Sequence, residues 1–227
     1  MMNCTFSGNS AMYDGGGMDN EYSGPTVTNC TFIGNSAEDG GGMCNANESS
    51  PTVTNCTFTG NSAISLDIYV LGGGGMCNVE YSSPTLTNCI LWGNSSPEPN
   101  GPQIALKDNS TVSISYCDLQ GGQAAIYSVG TNSIIWGTGN IDDDPLFIDD
   151  EDDNVHLRGY SPCINAGDPS GDYSGQVDID NQPRVAYGRV DMGADEVFPA
   201  AGDFEPDGDV DFADFAVFAN NWLLGVE

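Results

Sequence analysis

The residues best spaced for chemistry stand near the C-terminus. Asp203, Glu205, Asp207, Asp211 and Asp214 fall at positions 1, 3, 5, 9 and 12 of a twelve-residue run. Gly208 takes position 6, and Asp209 offers its backbone carbonyl at position 7. This is the ligand order of a calcium loop, in which a hard cation needs a dense cage of oxygens and glycine permits the sharp turn. Carboxylates this close repel one another until a cation sits among them. The expected cofactor is therefore Ca2+, bound by Asp203, Glu205, Asp207, Asp209, Asp211 and Asp214. A helix should follow the loop, because Phe212, Phe215, Ala216, Ala219 and Leu223 share one face at i, i+3, i+4 spacing, with Trp222 beside them.

The rest of the chain is poor in catalytic side chains. It has one histidine, His156, and four cations, Lys107, Arg158, Arg184 and Arg189. No Ser/His/Asp or Cys/His constellation can be assembled from so few bases. Asp142, Asp143 and Asp144 are adjacent, but consecutive residues on a strand alternate faces, so they form no acid/base pair by themselves. They read as a solvated or calcium-touching loop, and Asp14, Asp39 and Asp67, beside the glycine runs, read as turn residues. His156 reads as structural or exposed. There is no CxxC pair, and His156 stands far from the repeated cysteines, which argues against a zinc site. No catalytic residue is assigned, and the chain is expected not to be an enzyme.

Charge narrows the partners. The 227 residues carry 33 Asp+Glu against 4 Lys+Arg, a formal charge of -29. A nucleic-acid backbone demands a cationic surface, and anionic membranes repel such a chain. No stretch approaches the length of an apolar membrane span.

The elements that position everything else come from an internal repeat. Asn3-Cys4-Thr5-Phe6-Ser7-Gly8-Asn9-Ser10-Ala11 returns from Asn29 and again from Asn55, and a looser copy begins at Asn88. The steps are 26, 26 and 33 residues, the last lengthened near Ile64 to Leu71. Between copies come Gly-Gly-Gly-Met blocks ending at Met18, Met43 and Met76, then Pro-Thr-Val/Leu-Thr blocks beginning at Pro25, Pro51 and Pro84. A fifth, weaker copy spans Thr111 to Gly121. Each unit holds short β-favouring pieces cut by Gly, Pro and Asn, with no helical period. One unit cannot bury its own apolar side chains, but stacked units can. A 26-residue period with about three strands per turn fits a parallel β-helix. Stacking predicts inward ladders: Cys4, Cys30, Cys56, Cys89, Cys117; Phe6, Phe32, Phe58, Leu91; and Met18, Met43, Met76. Asn9, Asn35, Asn61 and Asn94 should bond along the axis, and the glycine runs should turn with positive φ. Stacked cysteines point the same way, so the seven of eight at repeat positions read as a reduced core ladder, with Cys44 and Cys77 the pair to check for a bridge.

This pattern resembles the right-handed parallel β-helix repeats of bacterial surface proteins. It is also similar to polymorphic outer-membrane protein repeats, with their Gly-Gly block and Phe-x-x-Asn block, here Phe6 to Asn9, Phe32 to Asn35 and Phe58 to Asn61. The likeness covers residues 1–140. Residues 141–198 carry Ser161-Pro162-Cys163-Ile164-Asn165-Ala166-Gly167-Asp168, Asp178-Ile179-Asp180-Asn181-Gln182-Pro183-Arg184 and Val190-Asp191-Met192-Gly193-Ala194-Asp195-Glu196. They resemble the choice-of-anchor Q region that closes many surface β-helices, which implies a cap on the solenoid end and an extracellular or cell-surface setting. Residues 199–227 resemble one half of a type I dockerin repeat. A cohesin-like partner would follow, but Phe212-Ala213 replaces the hydroxyl pair of cohesin-binding dockerins and argues against it. The fold expected is thus all-β, a right-handed parallel β-helix with an irregular β cap and a short calcium loop–helix.

No signal peptide is visible, and Met1 falls inside a repeat, so the chain reads as a fragment whose leader was lost. The function expected is a non-catalytic, calcium-stabilised surface or secreted scaffold for adhesion, matrix or glycan contact. Exposed Tyr13, Tyr22, Tyr69, Tyr81 and Trp92 would offer stacking to sugars. Two alternatives stand beside it. One is a polysaccharide-processing enzyme, a lyase or glycoside hydrolase, carried by the dockerin-like tail. The other is a fibre subunit that self-associates through the uncapped N-terminal coil.

Overall fold

A computed structural model describes residues 1–64, 71–97, 101–149, 154–186 and 188–198, together with positions 212, 215, 216, 218 and 219 of the tail. The chain winds through five coils. The first holds β1 (Thr5–Ser7), β2 (Met18–Glu21) and β3 (Thr26–Thr28). The second holds β4 (Thr31–Ile33), β5 (Ser36–Ala37), β6 (Met43–Ala46) and β7 (Thr52–Thr54). The third holds β8 (Thr57–Thr59), β9 (Ser62–Ala63), β10 (Met76–Asn78) and β11 (Thr85–Thr87). The fourth holds β12 (Ile90–Trp92), β13 (Ile104–Lys107) and β14 (Thr111–Ser115). The fifth holds β15 (Asp118–Leu119), a 3-10 turn at Gly122–Ala125, β16 (Tyr127–Val129) and β17 (Ser133–Trp136). Three five-stranded parallel sheets result, ordered β1-β4-β8-β12-β15, β2-β6-β10-β13-β16 and β3-β7-β11-β14-β17. This is the parallel β-helix that the repeat predicts.

Register places like on like. Phe6 pairs with Phe32, Phe32 with Phe58, and Phe58 with Leu91. The Phe6–Phe32 and Phe32–Phe58 rings stack at 4.6 and 4.4 Å between centroids. Met43 pairs with Met18 and Met76, and Val53 pairs with Val27 and Leu86. These residues form one continuous core down the axis with the cysteines of the first ladder. All eight cysteines are free thiols, Cys44 and Cys77 included. In the ladder each sulfur donates to the carbonyl two residues back, as Cys56 does to Thr54 at 3.2 Å.

The polar ladder runs inside as well. Asn35 Nδ2 donates to Asn61 Oδ1 at 2.9 Å, and Asn61 Nδ2 to Asn94 Oδ1 at 2.8 Å. A second ladder, not read from the sequence, joins Asn20, Asn45 and Asn78 at 2.9 Å per step. The glycine runs split into two roles. Gly40 turns with φ 63°, as expected, but Gly42 does not. A Cβ on Gly42 would sit 2.5 Å from the Gly75 carbonyl and 3.0 Å from the Phe58 ring. The third glycine is there because the next coil lies against its backbone.

The described residues of 141–198 form the irregular region expected after the coils, and they make contacts to the sides of several coils. These described residues lie along the flank of the coils. Asn29, Asn55 and Asn88 stand at the corner after β3, β7 and β11 in left-handed conformation, φ 51–53°, which turns their amides outward. Asn29 Nδ2 donates to the Val177 carbonyl, and Asn88 Nδ2 to the Tyr173 hydroxyl at 2.8 Å. The Ala194 N–H donates to Thr57 Oγ1 at 3.0 Å. A second apolar core forms between them, where Ile33 and Ile90 meet Phe147, Val155, Leu157, Cys163 and Met192. Phe147 and Leu157 belong to an antiparallel hairpin, β18 (Phe147–Asp149) with β19 (Asn154–Leu157). In the tail the five described positions are helical, and Phe212 and Phe215 are exposed. No helix among the described residues is long and apolar enough to cross a membrane.

Candidate functional site

The six residues of the expected calcium loop, Asp203, Glu205, Asp207, Asp209, Asp211 and Asp214, lie outside the described residues, as do Tyr69 and Asp67. The other candidates can be placed. Asp142, Asp143 and Asp144 make separate contacts. Asp142 Oδ1 accepts the Gly121 N–H of the preceding coil at 2.7 Å, and Asp144 Oδ1 accepts the Leu146 N–H of its own turn at 2.9 Å. Asp14 and Asp39 bridge between coils, and Asp39 accepts the Gly72 N–H at 2.6 Å. Tyr13, Tyr22 and Tyr81 are exposed, whereas Trp92 packs against the flank core.

The three arginines are used as staples. Arg158 donates to the Phe147 and Ile148 carbonyls. Arg189 donates to those of Gly167 and Ala166, with its guanidinium 5.8 Å from the Tyr116 ring centroid. Arg184, at 1% exposure, donates to the carbonyls of Asp195, Asp191 and Gly193. Around it stand Asp178, Asp191, Asp195 and Glu196, all buried. Asp191 takes the Asn165 and Val197 N–H groups, and Glu196 those of Ala186 and Asp191. These loops thus hold together by carboxylate-to-backbone bonds around one buried cation. Their motifs were visible in the sequence, but Arg184 as their hub was not.

A cavity of about 500 Å³ opens in this region. Asp168, Tyr173, Gln176, Arg184, Val185 and Arg189 line it, so two of the chain's four cations border it. His156, isolated in the sequence, is not isolated in space. Its Nε2 lies 3.1 Å from Asp180 Oδ2, and its Nδ1 lies 2.5 Å from Asn154 Oδ1. Buried Asp195 completes the group, with ligand atoms of the three residues all within 4.8 Å of one another.

The family comparison bears on the coils. The model of the family described as "Right handed beta helix region" matches residues 1–141. The chain belongs to this family. No curated protein and no solved structure matches it. In this right-handed β-helix protein the coils are the family's part, and the carboxylate-rich flank lies beyond the match.

Burial gives the β-helix protein a pH signature. Burial pushes the Asp118 carboxyl up to about 7, against the Cys163 thiol that donates to it and with Asp143 and Asp142 nearby. Burial likewise holds Asp191 at about 6, offset by its N–H donors and Arg184, with Asp195 opposing. Asp39 also stands at about 6, beside Asp14 and Glu38. Each folded value exceeds the unfolded one, so the folded state binds the extra proton. The stabilisation is complete below the unfolded value and is lost as pH rises through the folded one. The melting temperature should therefore fall by roughly 5 °C between about pH 5 and pH 8. A calorimetric pH series checks this, and a melting temperature that rises over that window would contradict it.

Proposed function

We propose that the chain is a non-catalytic secreted or cell-surface scaffold whose β3-β7-β11 face contacts neutral glycans. The observation that carries this reading is the corner between the β2 and β3 sheets. Ser23 N–H donates to Ser49 Oγ and Ser49 N–H to Ser82 Oγ, which stacks Tyr22, Glu48 and Tyr81 just ahead of them. All three adopt left-handed backbone, φ 46, 62 and 64°. Tyr22 and Tyr81 are 77% and 62% exposed. The same left-handed corner recurs at Asn47-Glu48, Glu80-Tyr81 and Asp108-Asn109, so it belongs to the turn of each coil, and at Tyr22 and Tyr81 it carries an exposed ring. The two rings stand two coils apart, about 10 Å at the strand spacing, comparable to the length of a disaccharide.

A flat row follows each corner. Thr26, Thr52 and Thr85 are exposed and in register. Beyond them, at Asn29 and Asn55, the flank begins with Val177 and Gln176, which line the cavity. Hydroxyl rows with aromatic platforms suit sugar rings, and a charge of -29 disfavours polyanionic glycans. Calcium in the tail loop, Asp203 to Asp214, belongs to the same proposal, as a stabiliser and not a reagent.

Affinity electrophoresis in soluble glucan, xylan and polygalacturonate tests it, with and without Ca2+. Retardation is expected in a neutral gel, weakened at least about tenfold by Tyr22→Ala with Tyr81→Ala, at about 1 kcal/mol per ring. No retardation in any neutral gel would sink the glycan reading. Release of reducing ends or of unsaturated product from any of the three would sink the non-catalytic one.

A further inference from the structure

We propose that His156, Asp180 and Asp195 form a binding site for a divalent transition ion of the zinc class. The proposal is independent of the glycan face and of the tail loop. A neighbouring amide oxygen fixes the hydrogen on one ring nitrogen of His156. Asn154 Oδ1 accepts the His156 backbone N–H at 3.2 Å, and the same oxygen lies 2.5 Å from Nδ1. An amide oxygen only accepts, so Nδ1 carries the hydrogen. In the neutral ring Nε2 is then a bare lone pair, and it faces Asp180 Oδ2 at 3.1 Å. A lone pair against a carboxylate is repulsive unless a proton or a metal cation lies between them. A carbonyl oxygen on the far ring nitrogen is also the partner that metal-bound histidines use to fix tautomer and aim.

Of the two carboxylates, that of Asp195 is held by the backbone and that of Asp180 stands at the surface. Asp195 is 5% exposed, and its Oδ2 accepts the N–H of Leu157, the residue next to His156. Asp180 is tied by its own N–H to Asp178 Oδ1 at 2.9 Å. Asp178 is wholly buried, and its Oδ2 has no hydrogen-bond partner. Negative oxygen is thus concentrated here beyond what the described cations neutralise. Arg184, the nearest buried guanidinium, gives its described hydrogen bonds to backbone carbonyls. Among the described residues the one ion pair is His156 with Asp180 itself. One imidazole with two carboxylates suits a borderline ion such as Zn2+ better than Ca2+, and three protein ligands leave a position for water.

The chain has a single histidine, which gives the test a clean signal. The full chain, labelled with 15N-histidine and held in millimolar Ca2+ to occupy other carboxylates, is titrated with Zn2+ at neutral pH. The expected result is one-to-one saturation in which the Nε2 resonance moves from its lone-pair position to a metal-bound one while Nδ1 stays protonated. Asn154→Ala and Asp180→Asn should each weaken that titration at least about tenfold. An imidazole spectrum unchanged by excess Zn2+ would overturn the site without a variant being made. So would a starting spectrum with protons on both nitrogens that Zn2+ does not displace, which would make the His156–Asp180 contact a plain ion pair. Retention of full affinity in Asp180→Asn, shown to be folded, would overturn it too.

Discussion

Replacing Arg184 by methionine is expected to free the segment 141–198 from the coils, at a cost of about 3–5 kcal/mol. Methionine nearly fills the space, so lost volume is not the cause. The cost lies in what Arg184 serves. Its guanidinium satisfies the carbonyls of Asp195, Asp191 and Gly193, which no other described donor reaches. It is also the one buried cation among Asp178, Asp191, Asp195 and Glu196. Burial alone lowers its pKa, and those four carboxylates oppose that effect. Without it, the carbonyls are orphaned and the acids face one another uncompensated. Arg184→Lys should not restore the segment, because an ammonium on a flexible stem lacks the planar fork of donors. The coils should survive, since their core runs separately down the axis. Limited proteolysis read alongside far-ultraviolet dichroism separates the two regions. Early cleavage within 141–198 with the coil signal retained is the expected result. A methionine variant as protease-resistant as the parent would show that Arg184 is not the hub.

The coils were legible in the sequence because stacking repeats chemistry at a fixed interval. Phe6, Phe32 and Phe58 are the same residue in the same place, and the structure lays them ring on ring. Asn35 and Asn61 likewise reach the contacts their positions imply. The third glycine of each run was misread, because its need is set by the neighbouring coil and not by its own turn. The flank was recognisable by motif but not by arrangement. Asn88, one more repeat asparagine in the sequence, receives Asp168 and Gly193 N–H groups and bonds the Tyr173 hydroxyl. Those partners follow no period. His156 shows the same limit: Asp180 and Asp195 lie far along the chain, in two loops that meet only when the flank folds. Local spacing reveals a loop that binds through neighbours in sequence and is blind to a site assembled across loops.

Asn61→Leu is the change expected to harm the coils most, by roughly 5 kcal/mol. Asn61 is wholly buried, and its amide is used at both ends. Its Oδ1 accepts the Asn35 backbone N–H at 3.0 Å and Asn35 Nδ2 at 2.9 Å. Its Nδ2 donates to the Phe32 carbonyl and to Asn94 Oδ1, both at 2.8 Å. Leucine has the size but none of these bonds. Buried groups on the two flanking coils, the second and the fourth, are then stranded at about 1–3 kcal/mol each, with partial relaxation. Such a loss is comparable to the whole stability of an ordinary domain. Asn61→Asp should fare little better, because a carboxylate would turn an acceptor toward both the Phe32 carbonyl and Asn94 Oδ1. The contrast with the first coil is the sharper test. Asn9 is exposed and shares only Asn35 Oδ1, so Asn9→Leu should cost about 1 kcal/mol. Urea titrations of the two variants give the comparison directly. Equal losses would mean that the ladder acts through turn geometry at each corner. A loss several times larger at Asn61 would mean that the axial hydrogen bonds themselves hold one coil to the next.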